Sequence, residues 1–259
     1  MLLAIDVGNT NTVFAPYHDG EFVAEWRLNT ESVRTADQCF VWLNQLMAHK
    51  GLRPDQITDV VISNTAPATL FNLRVLCDRY FNARPLVVGK PECKLPVSVR
   101  VDPGTNVGAD RLVNTVAAYD RYGGELIVVD FGTATTLDTV AHDGAYVGGA
   151  IAPGINLSLD PLHGAAAHLP RIDVTMPPHA LGRNTVHCMQ SGIYWGYVGL
   201  IEGIAKRIAV ERGTDMRVIA TGGLSPLFFR GSDMIETFDT DLTMHGLVLI
   251  HKYNKDLDV

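Results

Sequence analysis

Near its start the chain reads Leu2-Leu3-Ala4-Ile5-Asp6-Val7-Gly8-Asn9-Thr10-Asn11-Thr12, an apolar run followed by Asp, Gly and small hydroxyl or amide residues. The same design returns in the second half as Leu126-Ile127-Val128-Val129-Asp130-Phe131-Gly132-Thr133-Ala134-Thr135-Thr136. Each copy predicts a buried strand that turns sharply into a second strand, because glycine lets the backbone fold tightly and approach a ligand. Two copies at equivalent places predict a duplicated fold.

The residues after each glycine favour phosphate chemistry. Hydroxyl and amide side chains, together with backbone N–H groups freed by the turn, suit phosphate oxygens. An Asp at the strand end would repel bare phosphate, so Asp6 and Asp130 make sense only beside a bound cation. Two such loops facing each other predict a nucleotide cleft between two halves of the chain.

The remaining pattern alternates strands with helices, which is typical of an α/β fold with a mostly parallel sheet. We therefore predict two similar domains, 1–115 and 116–259. Strands are predicted at 2–6, 12–16, 21–28, 60–63, 86–88, 125–130, 134–140, 145–151 and 218–220, and helices at 36–51, 66–81, 108–122, 185–212 and 242–253.

Composition narrows the class of protein. The 259 residues are 47% hydrophobic, which is enough for a substantial core, and the formal net charge is -7. An acidic chain argues against a general nucleic-acid surface, although a few local donors suffice for a nucleotide. Four scattered cysteines form no CxxC pair, and no signal peptide or membrane span is evident. We expect a cytoplasmic protein that binds neither nucleic acid nor membrane.

A carboxylate and a guanidinium lie side by side in Gly108-Ala109-Asp110-Arg111, at a predicted helix start. Asp110 could accept a proton from a substrate hydroxyl, and Arg111 could hold an anionic group. The same pair also fits a plain helix N-terminus with a stabilising Asp and a surface Arg. The residues alone leave these two interpretations equally open.

Taken in order, the motifs resemble the type III pantothenate kinase family across essentially the whole chain. They are Asp6-Val7-Gly8-Asn9-Thr10, Gly108-Ala109-Asp110-Arg111, Asp130 to Thr136, Gly148-Gly149-Ala150-Ile151-Ala152-Pro153-Gly154, Leu181-Gly182-Arg183-Asn184-Thr185 and Thr221-Gly222-Gly223. This resemblance implies two actin-like (ribonuclease H-like) domains of the actin, sugar kinase and Hsp70 superfamily. It also implies ATP-dependent phosphorylation of pantothenate to 4′-phosphopantothenate, the first step of coenzyme A synthesis, by a homodimer.

The resemblance also assigns roles to residues. Asp110 would be the general base, and Asp130 would hold a monovalent cation, K⁺ or NH₄⁺. Asp6 would act through Mg²⁺ and its waters. ATP would contact Thr133 and the first loop, which comprises Asp6, Val7, Gly8, Asn9, Thr10, Asn11, Thr12 and Val13; pantothenate would contact Gly108, Ala109, Asp110, Arg111 and Thr185.

Three points stay open. Val101 lies roughly where family members often carry a tyrosine that covers pantothenate, and it could instead be a strand residue packed in the first half. The aromatic stretch Tyr194-Trp195-Gly196-Tyr197 fits a dimer interface and an internal core helix equally well. The alternative function is a non-catalytic regulatory accessory factor on the same fold; loss of Asp6 or Asp110 would favour it, and both are present.

Overall fold

The computed structural model describes residues 1–159 and 169–257. The chain divides into two compact units. Unit 1 comprises Met1–Val97, Gly104–Ala117 and Thr243–Val259, and unit 2 comprises Ser98–Pro103 and Ala118–Leu242. The predicted halves 1–115 and 116–259 differ from these units chiefly at the C-terminal helix and at the segment 98–103.

Strands and helices occur along the chain in the following order. The strands are β1 Leu2–Val7, β2 Asn11–His18, β3 Glu21–Phe22, β4 Trp26–Asn29, β5 Asp59–Asn64, β6 Leu86–Val87, β7 Leu126–Phe131, β8 Ala134–Val140, β9 Tyr146–Pro153, β10 Arg217–Thr221 and β11 Ile235–Phe238. The helices are α1 Ala36–His49, α2 Leu70–Phe81, α3 Ala109–Tyr122, α4 Thr185–Arg212, α5 Ser225–Phe229 and α6 Leu242–Leu257, with short 3₁₀ turns at Pro54–Gln56 and Pro67–Thr69.

The sheet of unit 1 has the order β3-β2-β1-β5-β6, with β4 paired to β2. Strand β1 is antiparallel to β2 and parallel to β5. The sheet of unit 2 has the order β11-β10-β7-β8-β9, and β7 is likewise antiparallel to β8 and parallel to β10. Both sheets are therefore mixed, and the expectation of mostly parallel sheets was wrong. In each unit the two strands joined by the glycine turn pair with each other, and such a pair is antiparallel.

Side chains of β1 alternate between two buried faces, as the two-residue period of a strand requires. Leu3 and Ile5 belong to one apolar cluster with residues of α1 and α2. Leu2 and Ala4 belong to another with residues of α3 and α6. Since Asp6 follows in the same alternation, its side chain lies on the face of β1 that α3 covers.

The core of unit 2 is built around α4. Tyr194 and Tyr197 are buried there, and Tyr194 stacks on Phe228 with ring centroids 5.3 Å apart. The internal-core interpretation of the aromatic stretch is thus confirmed for these two tyrosines. None of the helices in the described ranges is long and apolar enough to cross a membrane.

Candidate active site

The first loop connects β1 to β2 through a tight turn. The Gly8 N–H donates to the Asn11 carbonyl at 2.9 Å, and a Cβ atom on Gly8 would lie only 3.2 Å from that oxygen. Val7, Thr12 and Val13 are buried, whereas Asn9 and Thr10 are exposed. The side chains that this loop offers to a ligand are therefore mainly those of Asn9 and Thr10, and the rest of the loop can contribute backbone groups.

Asp6 is electrostatically unusual. Its Oδ1 atom is buried and has no hydrogen-bond partner among the described residues, and the same is true of the Ser63 hydroxyl on the paired position of β5. Burial raises the pKa of Asp6 to about 6; Ser63 and the Arg27 guanidinium oppose this rise, and the Asp110 carboxylate adds to it. A buried carboxyl oxygen without a partner, in a group whose pKa is raised, indicates a site completed by a ligand.

Asp110 lies in the first turn of α3. Its Oδ1 accepts the Arg111 backbone N–H at 2.8 Å, so it does stabilise the helix start. Burial nevertheless raises the pKa of Asp110, while the Arg111 N–H and guanidinium lower it. The charge of Asp110 also raises the pKa of Asp6, and α3 covers the face of β1 on which Asp6 lies. Unit 1 thus brings Asp6 and Asp110 together on one face of its sheet.

Gly108 leaves room for this carboxylate. A Cβ atom at position 108 would lie 2.6 Å from Asp110 Oδ1, well inside van der Waals contact. Any larger residue would have to displace the carboxylate. The Gly108-Ala109-Asp110-Arg111 motif therefore encodes the placement of Asp110 as well as its presence.

The second loop repeats the design in unit 2. Asp130 is the last residue but one of β7 and lies opposite Thr136 of β8 and Thr221 of β10. Gly222 follows β10 with φ of +87°, and a Cβ atom there would lie 2.7 Å from the Phe131 carbonyl oxygen and 2.9 Å from Asp130 Oδ1. A carboxylate oxygen and a carbonyl oxygen thus border a small space that only glycine leaves open.

Two further predicted site residues lie on the surface of unit 2. Thr133 is exposed at the turn between β7 and β8. A Cβ atom on Gly154 would lie 2.0 Å from the Thr133 carbonyl oxygen, so the segment after β9 packs directly beneath this turn. Thr185 is exposed as the first residue of α4, and its neighbour Asn184 caps that helix by accepting the His187 N–H at 2.8 Å.

Comparison with known proteins decides the family. Residues 2–207 match the Type III pantothenate kinase family. The chain belongs to the type III pantothenate kinase family. Relatives of that description include one from Cereibacter sphaeroides (strain ATCC 17025 / ATH 2.4.3), 62% identical with 100% of both chains covered. Another, from Dinoroseobacter shibae, is 63% identical, with 99% of this chain and 100% of the relative covered.

Solved structures agree on the architecture of this family member. A protein assigned as a 2-dehydro-3-deoxygalactonokinase from Sinorhizobium meliloti matches with a TM-score of 0.61 at 13% identity, covering 98% of this chain and 96% of the other. A protein assigned to the Baf family of transcriptional activators, from Campylobacter jejuni, matches at 0.60 and 20% identity, covering 98% and 99%. At these identities the likeness carries the fold alone, and it confirms two actin-like domains.

Sequence reasoning missed two residues that lie beside the first loop and Asp6. Ser63 lies in an ordinary apolar strand and gave no signal. Thr30 follows β4 and contacts the first loop, and no motif singles it out. Gly222 belongs to a motif of the family resemblance, and its place directly after a core strand is a recognisable sign of close backbone approach.

Proposed function

We propose that this chain phosphorylates pantothenate with ATP as donor and that Asp110 is the general base. Membership of the type III pantothenate kinase family, at 62% identity over the whole chain, supports the reaction. The observation that supports the residue is the placement of Asp110 beside Asp6, on the one face of the sheet where a buried carboxyl oxygen lacks a partner.

Asp110 would take the hydroxyl proton of pantothenate as the new O–P bond forms and the bond between the γ-phosphorus and the bridging oxygen breaks, leaving ADP. The opposing effects on its pKa suit this work: burial makes the carboxylate more basic, and Arg111 keeps it ionised. Phosphoryl transfer relies mainly on positioning and charge stabilisation, so the main requirement on the base is a position within hydrogen-bonding reach of the substrate hydroxyl.

The first loop would hold the phosphates of ATP. The N–H groups of the turn after Gly8 and the side chains of Asn9 and Thr10 are donors of the kind phosphate oxygens accept. Asp6 fits a hydrated Mg²⁺ ion, since its buried Oδ1 has no protein partner in the described ranges. The metal would neutralise charge on the phosphates when bound.

The remaining site residues would orient the two substrates. Arg111 would pair with the carboxylate of pantothenate, because a guanidinium matches that group in two parallel hydrogen bonds. Gly108, Ala109 and Thr185 would line the pantothenate site, and Thr133 would contact ATP. Thr185 is suited to an anionic or hydroxylated ligand because it opens a 28-residue helix, whose N-terminus is electropositive.

Asp130 would hold a monovalent cation. The Asp130 and Phe131 oxygens beside Gly222 form an oxygen-lined space of the kind that hard cations prefer, and they fit such an ion. The ion would supply positive charge to a loop that otherwise presents a carboxylate to phosphates.

Two broader features belong to the same proposal. We expect a homodimer, and apolar side chains exposed on unit 2, such as Leu181 and Ile151, are suitable for burial by a second copy. We also expect the enzyme in the cytoplasm, where coenzyme A synthesis draws on ATP.

A coupled assay with pantothenate, ATP, Mg²⁺ and K⁺ tests the reaction and the base together. The parent should turn over, and Asp110→Asn should lose turnover by about 10²-fold or more, the usual scale for a general base. Asp78→Asn, at an exposed position of α2, is the control and should match the parent. A parent without pantothenate-dependent turnover would favour the accessory-factor alternative, and an active Asp110→Asn would remove Asp110 from its role.

A further inference from the structure

Thr30 makes three contacts to the first loop from outside it. Its backbone N–H donates to the Thr10 carbonyl at 2.8 Å, and its hydroxyl donates to the Gly8 carbonyl at 2.8 Å. The Thr12 hydroxyl lies 2.8 Å from the Thr30 hydroxyl. Since the Thr30 proton points to Gly8, Thr12 is the donor in that pair. The result is a chain of hydrogen bonds from Thr12 through Thr30 to Gly8, and such chains strengthen each member.

The contacts fix three alternate residues of the turn that carries the proposed phosphate donors. Gly8, Thr10 and Thr12 flank Asn9 and Asn11, so holding their carbonyl and hydroxyl groups also sets the direction of the intervening N–H groups. Threonine suits this task better than a flexible polar residue, because branching at Cβ restricts χ1.

A small cavity lies beside the loop. It has a volume of about 30 Å³, is open to solvent, and is lined by Thr12 together with Leu28, Asn29 and residues of α1 and α2. Because Thr12 is buried, loss of the Thr30 hydroxyl would remove the acceptor of the Thr12 hydroxyl in a setting where water has little access.

We infer that Thr30 is a positioning residue, which sets the conformation of the ATP phosphate loop without touching the nucleotide. The inference rests on the proposed role of this loop and adds a residue outside every motif. Its consequence is selective: loss of the hydroxyl should weaken ATP binding and leave pantothenate binding nearly unchanged, because Gly108 to Arg111 make no use of Thr30.

Two substitutions separate the hydroxyl from the shape of the side chain. Thr30→Val keeps the branched shape and the N–H bond to Thr10 but removes the hydroxyl, whereas Thr30→Ser keeps the hydroxyl. We expect Thr30→Val to raise the KM for ATP about tenfold, the scale of one or two lost hydrogen bonds, with the KM for pantothenate within about twofold. Thr30→Ser should restore most of the ATP affinity.

Thr58→Val is the matched control. The Thr58 hydroxyl also makes side-chain hydrogen bonds in unit 1, but to Met1 and Asp59 at the other end of β1. Thr58→Val removes a hydroxyl next to the same sheet and should leave both KM values alone. If Thr30→Val and Thr58→Val behave alike, or if Thr30→Ser fails to restore ATP affinity, the positioning role is wrong.

Calorimetric binding of Mg²⁺ and a non-hydrolysable ATP analogue makes the test independent of the second substrate. A weaker Kd for Thr30→Val than for the parent and Thr30→Ser supports the inference even if pantothenate is not phosphorylated, in which case only the proposed reaction fails. Equal Kd values for all three proteins would overturn the inference while leaving the reaction intact.

Discussion

At the scale of single residues, burial of the Asp6 carboxyl group lowers the stability of the ligand-free protein and places the group at the proposed cation site. The Oδ1 atom of its carboxyl group is buried without a hydrogen-bond partner in the described ranges, and burial raises the pKa of the group from 3.8 to about 6. A carboxyl group whose pKa is raised by folding stabilises the protein only while it is protonated. At neutral pH the ligand-free protein must therefore keep an unfavourable charge, which a bound cation would offset.

This predicts a pH-dependent difference between the parent and Asp6→Asn. The stabilising contribution of Asp6 is fully present below its unfolded pKa of 3.8 and is lost as the pH rises through about 6. Asp6→Asn carries no such charge. Without Mg²⁺ and nucleotide it should be more stable than the parent at pH 8 by up to about 3 kcal/mol, at about 1.4 kcal/mol per pKa unit, and the difference should vanish near pH 4.

Urea unfolding of both proteins at pH 4, 6 and 8 measures this difference, with Asp78→Asn as a control that should show none. Asp6→Asn should also be inactive, which would separate a functional carboxylate from a structural one. A parent that is more stable than Asp6→Asn at pH 8 would show that Asp6 has a favourable partner in the free protein.

At the scale of elements, the segment before the GADR motif is held by pairing with Tyr146. Ser98–Pro103 belongs to unit 2, where the Arg100 N–H donates to the Tyr146 carbonyl at 2.8 Å and Val99 bridges to the same tyrosine. The expectation that Val101 could be a strand residue packed in the first half was therefore wrong. Val101 is half-buried at the end of this paired stretch.

Val101→Ala tests whether this segment covers pantothenate. Valine has no hydroxyl to offer, but it can exclude water by apolar contact. We expect the substitution to raise the KM for pantothenate and to leave the KM for ATP nearly unchanged. Steady-state kinetics of the parent and the variant measure both constants. A lower melting temperature with both KM values unchanged would mean that Val101 only packs within unit 2.

The helices and strands differ in how well their bounds could be predicted from the sequence. Helix 185–212 was predicted with its observed bounds, because Asn184 caps its start and Gly213, with φ of +67°, ends it. The predicted strand 21–28 is two short strands, since the chain turns between β3 and β4. Strand β11 was not predicted. It has four residues and pairs with β10, and a strand this short has no local sequence pattern that indicates its partner.

The candidate site was predictable to the same degree. The motifs placed Asp6, Asp110 and Asp130 at strand and helix ends, because glycine turns and helix starts have local sequence signatures. Contacts made across the sheet have none, so Ser63 beside Asp6 and Thr30 beside Thr10 became visible only in three dimensions. The local motifs therefore identify the carboxylates, whereas only the folded structure shows which residues lie beside them.

At the scale of the whole molecule, one strand–turn–strand design occurs twice with different surroundings. Asp6 has a buried Oδ1 atom without a partner in the described ranges and lies beside Ser63, whereas Asp130 lies beside the Phe131 carbonyl oxygen and Gly222. Under the proposed function, the first carboxylate would hold a hydrated divalent ion and the second a monovalent ion.

The duplication predicts that phosphorylation requires K⁺ or NH₄⁺ besides Mg²⁺, and that the requirement resides in unit 2. Turnover should rise with either ion in a sodium buffer rigorously freed of both. Asp130→Asn should lose the response, and so should Gly222→Ala, whose Cβ would enter the space between the two oxygens. Gly213→Ala is the matched control: it also places alanine at positive φ, but its Cβ meets nothing within 4 Å, so strain alone is tested. If the parent is fully active in sodium alone, or if Gly213→Ala loses the response as Gly222→Ala does, then Asp130 does not hold a cation, and its place in the duplicated design needs another explanation.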